Sequence, residues 1–185
     1  MAGRKEPMSE PVTPEPQLRA RFVIRAVGIV ALLALLVVIL IGGGHPLGAG
    51  TTAPDTAGIT LDGGHLDLKD WRGDFVVVNV WATWCPPCLH EMPDLVVAAE
   101  KWQPKNVHFV GLAADSPPER IPLVAAKFGV NYPVFAIDKR TQNAWNAMSL
   151  PSTYILRGDG SVAWSVAGAI TLKELDDVLT ELTAP

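Results

Sequence analysis

Cys85 and Cys88 are the only thiols among 185 residues, and they stand in the run Trp84-Cys85-Pro86-Pro87-Cys88. One such pair cannot staple a fold as a disulfide framework, and it is too few for a four-thiolate metal site. What remains is chemistry between the two sulfurs. An apolar, strand-like run from Phe75 to Trp81 precedes them, and apolar residues at helical spacing follow. A dithiol in that setting reads as a redox pair at the junction of a strand and a helix.

The rest of the globular part agrees with an α/β fold. Ile59-Thr60-Leu61 and His65-Leu66-Asp67-Leu68 alternate around Asp62-Gly63-Gly64, which predicts a hairpin. Phe75 to Trp81, broken only by Asn79, reads as a central strand covered on both faces. Leu89, Met92, Leu95, Val96, Ala99 and Trp102 give the next helix its stripe, with Pro93 expected to kink it. Val107 to Leu112 follows as a strand. Ser116-Pro117-Pro118-Glu119 then offers an N-cap, a first-turn proline and a capping-box glutamate for a helix ending at Gly129. Pro133 to Ile137 is a short strand, and Asp138 caps a short helix running to Trp145. Ser152 to Arg157 and Ser161 to Val166 flank Gly158-Asp159-Gly160 as a hairpin, and Thr171 with Glu174 opens a final helix. The expected order is ββ-β-α-β-α-β-α-β-β-α, a mixed sheet covered by helices.

Ahead of this domain lies Ala26 to Ile41, sixteen residues without a polar side chain, extended to nineteen by Gly42 to Gly44. A helix of that length rises about 28 Å, close to the thickness of a bilayer core. Arg4, Lys5, Arg19, Arg21 and Arg25 precede it, and no Lys or Arg follows until Lys69. That bias places the N-terminus in the cytoplasm and the domain outside it. The expected organisation is a disordered cytoplasmic tail over 1–21, a transmembrane anchor over 22–44, a flexible linker over 45–57 and the domain over 58–185. A cleaved signal peptide is the rival reading of the apolar run, since small residues follow it, and a buried core helix is a further one. An exported domain is where a reactive disulfide persists. Beyond residue 25, ten Lys and Arg face sixteen Asp and Glu, an acidic balance that argues against a nucleic-acid surface.

At the junction, the free N–H groups of the helix start favour a thiolate on Cys85. Pro86 and Pro87 cost little in a first turn and stiffen the loop. Cys85 is expected as the exposed nucleophile and Cys88 as the buried thiol that resolves the mixed disulfide. An inert structural disulfide is a bland alternative, which the two-residue gap disfavours because closing so short a loop yields little entropy. Metal binding is another. His90, the nearest imidazole, lies about 160° around the helix from Cys88, so a copper site would have to draw on His45, His65 or His108.

Asn79-Val80-Trp81-Ala82-Thr83-Trp84-Cys85-Pro86-Pro87-Cys88, followed by Glu91-Met92-Pro93, resembles the TlpA/ResA-like (DsbE/CcmG-like) membrane-anchored thioredoxins. The likeness spans about residues 55 to 183. It implies a thioredoxin fold with an N-terminal hairpin and a central αβ insertion near Pro117 to Ile137. It also implies that Leu150-Pro151-Ser152-Thr153-Tyr154 is the second landmark of the family, with Pro151 cis and Leu150 offering backbone hydrogen bonds to an extended client. Trp84, Pro86, Pro87, Leu150 and Pro151 are then the client-binding residues, and Trp81 belongs to the core. General thioredoxins carry a buried acid where this chain has Asn79. Glu91, one turn after Cys88, is a candidate for the missing proton carrier, with a solvated or capping carboxylate as the alternative. Peroxiredoxin chemistry is disfavoured, because its pattern needs proline at Val78 and threonine at Ala82.

The resemblance implies a protein-disulfide reductase whose only redox group is the Cys85–Cys88 disulfide, with no cofactor and no metal. Its implied clients are apocytochrome c or copper-site proteins, and its implied electron donor is a membrane protein of the DsbD/CcdA type. An oxidase that introduces disulfides, a copper-handling protein and a non-catalytic membrane tether are the other readings of the same residues.

Overall fold

The computed structural model describes residues 24–25, 27–33 and 45–184. The tail and most of the expected anchor lie outside the described residues. Residues 24–25 and 27–33 are helical, and among the described residues no helix is long and apolar enough to cross a membrane.

The domain contains β1 (Ala57–Ile59), β2 (His65–Asp67), β3 (Phe75–Trp81), α1 (Pro86–Trp102), β4 (Val107–Ala114), α2 (Arg120–Lys127), β5 (Val134–Ile137), α3 (Lys139–Ala144), β6 (Ser152–Leu156), β7 (Val162–Ala167) and α4 (Leu172–Leu182). The order matches the pattern read from the chain. Five strands form one mixed sheet, β5-β4-β3-β6-β7, while β1 and β2 pair separately as the N-terminal hairpin. β3 runs parallel to β4, with Trp81 opposite Ala113, and antiparallel to β6, with Val80 opposite Ser152. This is a thioredoxin-like α/β fold.

The central position of β3 follows from its composition. Val77 and Trp81 belong to an apolar layer with Met92 and Leu95 of α1 and Leu175 and Leu179 of α4. Val76, Val78 and Val80 belong to a second layer on the other face, with Phe135, Trp145 and Tyr154. Alternating residues therefore serve two cores, and each large side chain buried this way contributes about 1.5–3 kcal/mol. Asn79 lies in register with Val77 and Trp81, so its amide faces α1.

Two expectations from local pattern are corrected. Residues 45–57 are not a free linker. The Leu47 carbonyl accepts from Ser165 Oγ at 2.7 Å, Gly50 N–H donates to Val162 O at 2.8 Å, and Ala53 N–H donates to Gly160 O at 3.0 Å. The His45 carbonyl takes the Asn146 amide, and Thr56 is buried with its hydroxyl accepting from Trp145 Nε1 at 2.9 Å. The segment is a strap along the outer edge of β7, and it occupies backbone groups that an edge strand would otherwise leave open. The second correction concerns α2, which begins at Arg120 without a side-chain cap. Ser116 does not cap it, because its hydroxyl accepts Thr83 N–H at 2.9 Å and donates to Ala114 O at 3.0 Å. The other caps match: Asp138 accepts from Thr141 N–H, and Thr171 with Glu174 forms a reciprocal capping box. α1 continues through Pro93.

Candidate active site

Cys85 is the N-cap of α1, with extended backbone angles, and Pro86 and Pro87 fill the first turn, where missing N–H groups leave no bond unmade. Cys88 N–H donates to Cys85 Sγ at 3.3 Å, so the first turn of the helix points a donor at that sulfur. The two sulfurs are joined at 2.05 Å, with Cα atoms 5.3 Å apart. A thiolate on Cys85 in the reduced protein would gain from this N–H and from the helix dipole.

Cys88 is fully buried, as a resolving thiol should be, but Cys85 is only 4% exposed and not the open nucleophile expected. The reason is its surroundings. Cys85 opens into a cavity of about 280 Å³ walled by Trp84, Pro86, Pro87, Met148 and Leu150. Trp84 is 57% exposed, whereas Trp81 is buried in the core. The Leu150–Pro151 bond is cis, the conformation the resemblance implies, and the Pro151 carbonyl accepts Gly168 N–H at 2.8 Å. Among the described residues no loop or capping hydrogen bond engages the Leu150 backbone.

One helical turn after Cys88, Glu91 is 2% exposed, which removes the reading of a solvated carboxylate. Its Oε1 accepts from Asn79 Nδ2 at 2.7 Å and its Oε2 from Ile170 N–H at 2.9 Å. The Asn79 amide also donates to Thr153 Oγ1 at 3.1 Å, tying β3, α1, β6 and the β7–α4 loop together. Burial pushes the Glu91 carboxyl up to about 7, against the pull of the Ile170 N–H and the Asn79 amide and with Asp94 adding to the rise. A buried carboxyl that holds its proton near neutral pH, on the helix face one turn from Cys88, is suited to exchange protons with a thiol.

Several residues here escaped the sequence reading. Met148, Lys139 and Gln142 line the cavity beside Cys85, and Asp115, at φ 45°, turns the chain next to Trp84. Only the Ser116 hydroxyl gave a signal, and it pointed to a different partner. His90 is exposed on α1, and among the described residues no group of three or more His, Cys, Asp and Glu side chains is placed to hold a metal ion.

Residues 49–165 match the AhpC/TSA family. The thiol-disulfide oxidoreductase ResA of Bacillus thuringiensis subsp. konkukian is 31% identical over 136 residues, covering 72% of this chain and 78% of that protein. The thioredoxin-like protein YneN of Bacillus subtilis is 35% identical over 135 residues, covering 70% and 78%. Among solved structures, a thioredoxin-family thiol:disulfide interchange protein from Chlorobium tepidum superposes with a TM-score of 0.65 at 26% identity, over 74% of this chain and 96% of that one.

Proposed function

Because the chain belongs to the AhpC/TSA family, as a thioredoxin-fold thiol-disulfide oxidoreductase of the ResA kind, we propose that it acts as a reductant of protein disulfides outside the cytoplasm, held by a membrane anchor at residues 22–44. The observation that carries this reading is the Cys85–Cys88 pair at the N-cap of α1, in a cavity that Leu150 also lines next to a cis proline.

In this mechanism the reduced protein presents Cys85 as a thiolate. It attacks one sulfur of a client disulfide, forming a Cys85–client bond and releasing the other client sulfur as a thiolate. Cys88 then attacks Cys85 Sγ, so that the Cys85–Cys88 disulfide forms and the second client sulfur leaves. Two electrons pass to the client, and two protons complete its thiols. Glu91 is the group placed to take the proton that Cys88 gives up. Trp84, Pro86, Pro87, Leu150 and Pro151 bear on the client at Cys85. The disulfide left behind must be reduced by a dithiol donor, which for an anchored protein is a membrane protein of the DsbD/CcdA type.

The clients that fit are apocytochrome c, whose haem-binding cysteines must be reduced before ligation, and proteins with copper-site cysteines. In cells, Cys85→Ser and Cys88→Ser variants should leave such client cysteines oxidised and cytochrome maturation impaired. Unchanged client thiols in both variants would refute the proposal. One feature favours the opposite direction of electron flow: the N-cap position of Cys85 stabilises its thiolate, and a stabilised reduced form makes a pair more oxidising.

A further inference from the structure

We propose that Tyr132 is a positioning residue for the resolving step: through one water, its hydroxyl links the Glu91 carboxyl to solvent in a cavity that shares no wall with the one at Cys85. The proposal rests on the oxidoreductase reading and gives the same centre a proton route.

The need for a route arises while a client is bound. Glu91 can take the Cys88 proton only as a carboxylate. With its value at about 7, about half of the molecules reach this step already protonated at pH 7. Those molecules must first lose that proton to solvent, and the bound client then fills the cavity at Cys85. Glu91 itself is 2% exposed, with Oε1 taken by the Asn79 amide and Oε2 by the Ile170 N–H. The proton needs a way out that does not pass the disulfide.

Gly111 marks where that way lies. It stands beside Asn79 in the parallel register of β3 and β4, so both positions project to the face that carries α1. The missing side chain leaves room next to the Asn79–Glu91 pair. Two polar residues reach it: a Cβ on Gly111 would lie 3.0 Å from Trp81 Nε1 and 3.5 Å from Tyr132 Cε2. Tyr132 also packs on Phe109, with ring centroids 6.2 Å apart. A phenylalanine would serve that packing equally well, so the hydroxyl has a separate role.

Tyr132 is 8% exposed, and among the described residues no protein group bonds its hydroxyl. No buried side-chain N or O atom among them is sealed off without a partner, so this oxygen keeps contact with water. The water belongs to a cavity of about 330 Å³ that Tyr132 lines with Thr60, Asp62 and Asn131. Those three side chains and this volume suit ordered water. On its inner side the hydroxyl lies within the field of Glu91, whose charge acts on it. The other groups about Glu91 do not reach solvent in this way. Asp94 Oδ2 accepts from Leu172 N–H at 2.9 Å, and Thr153, the other hydroxyl beside the pair, is fully buried.

The transfer needs no charged tyrosine. Glu91 gives its proton to the bridging water, that water passes one to the Tyr132 oxygen, and the tyrosine's own proton leaves to the cavity. Glu91 is left as the carboxylate and Tyr132 as the neutral phenol. Burial, with the Glu91 charge adding to it, holds the Tyr132 hydroxyl above its ordinary range, so the phenol stays neutral.

The test uses the reduced full chain and dithiobis(nitrobenzoate), a disulfide that releases one coloured thiolate when Cys85 attacks and a second when Cys88 resolves. In the unaltered protein the second release should be a single phase at every pH. Tyr132→Phe, which keeps the ring and its packing, should leave the first release unchanged and split the second. Its slow phase should take about half of the amplitude at pH 7, about nine-tenths at pH 6 and almost none at pH 9. In a Glu91→Gln chain, adding Tyr132→Phe should change nothing further. A single unslowed phase in Tyr132→Phe, a slow phase of equal amplitude at all three pH values, or slowing by Tyr132→Phe that persists in Glu91→Gln would each overturn the route. If the unaltered protein gives no first release, the oxidoreductase reading fails, and the route fails with it.

Discussion

Asn79 Nδ2 donates to Glu91 Oε1 at 2.7 Å, with both side chains buried and Glu91 one helical turn beyond Cys88. General thioredoxins place an acid on the central strand. Here the strand supplies the amide and the helix supplies the acid, which returns the carboxyl to the interior from the other side. Two further hydrogen bonds join the pair to Thr153 and Ile170, so the proton on Glu91 is coupled to four elements of the fold.

This arrangement makes stability depend on pH in a defined direction. Glu91 sits at about 7 in the fold against an ordinary value of 4.5, so between those values the folded chain holds a proton that the unfolded chain releases. The resulting contribution is fully present below about pH 4.5 and is lost as pH rises through about 7, amounting to about 3 kcal/mol. Urea midpoints measured at pH 5 and pH 8 should show this fall in the unaltered chain. Glu91→Gln should be less stable at pH 5, since its amide cannot accept from both Asn79 and Ile170, and should show a smaller fall between the two. An equal fall in both proteins would remove Glu91 as its source.

The same group should appear in the kinetics. If Glu91 takes the proton of Cys88, the rate at which Cys88 resolves a mixed disulfide should have an inflection near pH 7. In Glu91→Gln the inflection should vanish while the attack by Cys85 keeps its own profile. Stopped-flow measurement of the two steps separates them.

Cys88→Ser should trap client on Cys85 as a stable mixed disulfide, because the resolving sulfur is gone, while Cys85→Ser should trap none. Mass spectrometry under non-reducing conditions reads both outcomes directly. Adducts on Cys88 in the Cys85→Ser variant would reverse the assigned roles, which the full burial of Cys88 argues against.

Both tyrosines of the chain, Tyr132 and Tyr154, are buried, and burial raises both hydroxyls above their ordinary range, Tyr154 to about 12. The Tyr154 hydroxyl also donates to the Trp145 carbonyl at 2.6 Å. Tyrosinate absorbance should therefore be almost absent at pH 10, where a free tyrosine is half ionised, and should appear on unfolding. Half-ionisation at pH 10 in the folded protein would contradict the burial of these two side chains, one on each face of the sheet.

The order of the elements was legible because each is encoded locally. Seven residues from Phe75 to Trp81 with one polar break can hardly be anything but a doubly covered strand, and Thr171 with Glu174 announces a helix start within four residues. The features that were not legible depend on partners far along the chain. Ser116 has the surroundings of an N-cap, but Thr83, thirty-three residues earlier, claims its hydroxyl. Residues 45–57 have the composition of a loose linker, and they are fixed mainly through backbone groups, which leave no trace in side-chain pattern. Cys85 looked exposed because Met148 and Leu150, which help enclose it, arrive from another loop. Glu91 could be singled out by its spacing from Cys88, but its pairing with Asn79 required the helix to be laid across the strand.

The direction of electron flow is the central claim, and the reduction potential of the full chain tests it most directly. Equilibration in glutathione or dithiothreitol buffers, read by thiol alkylation, should place the Cys85–Cys88 couple below about −220 mV, in the range of reductants such as thioredoxin. A value near about −120 mV would make the protein a disulfide-introducing oxidase and contradict the account.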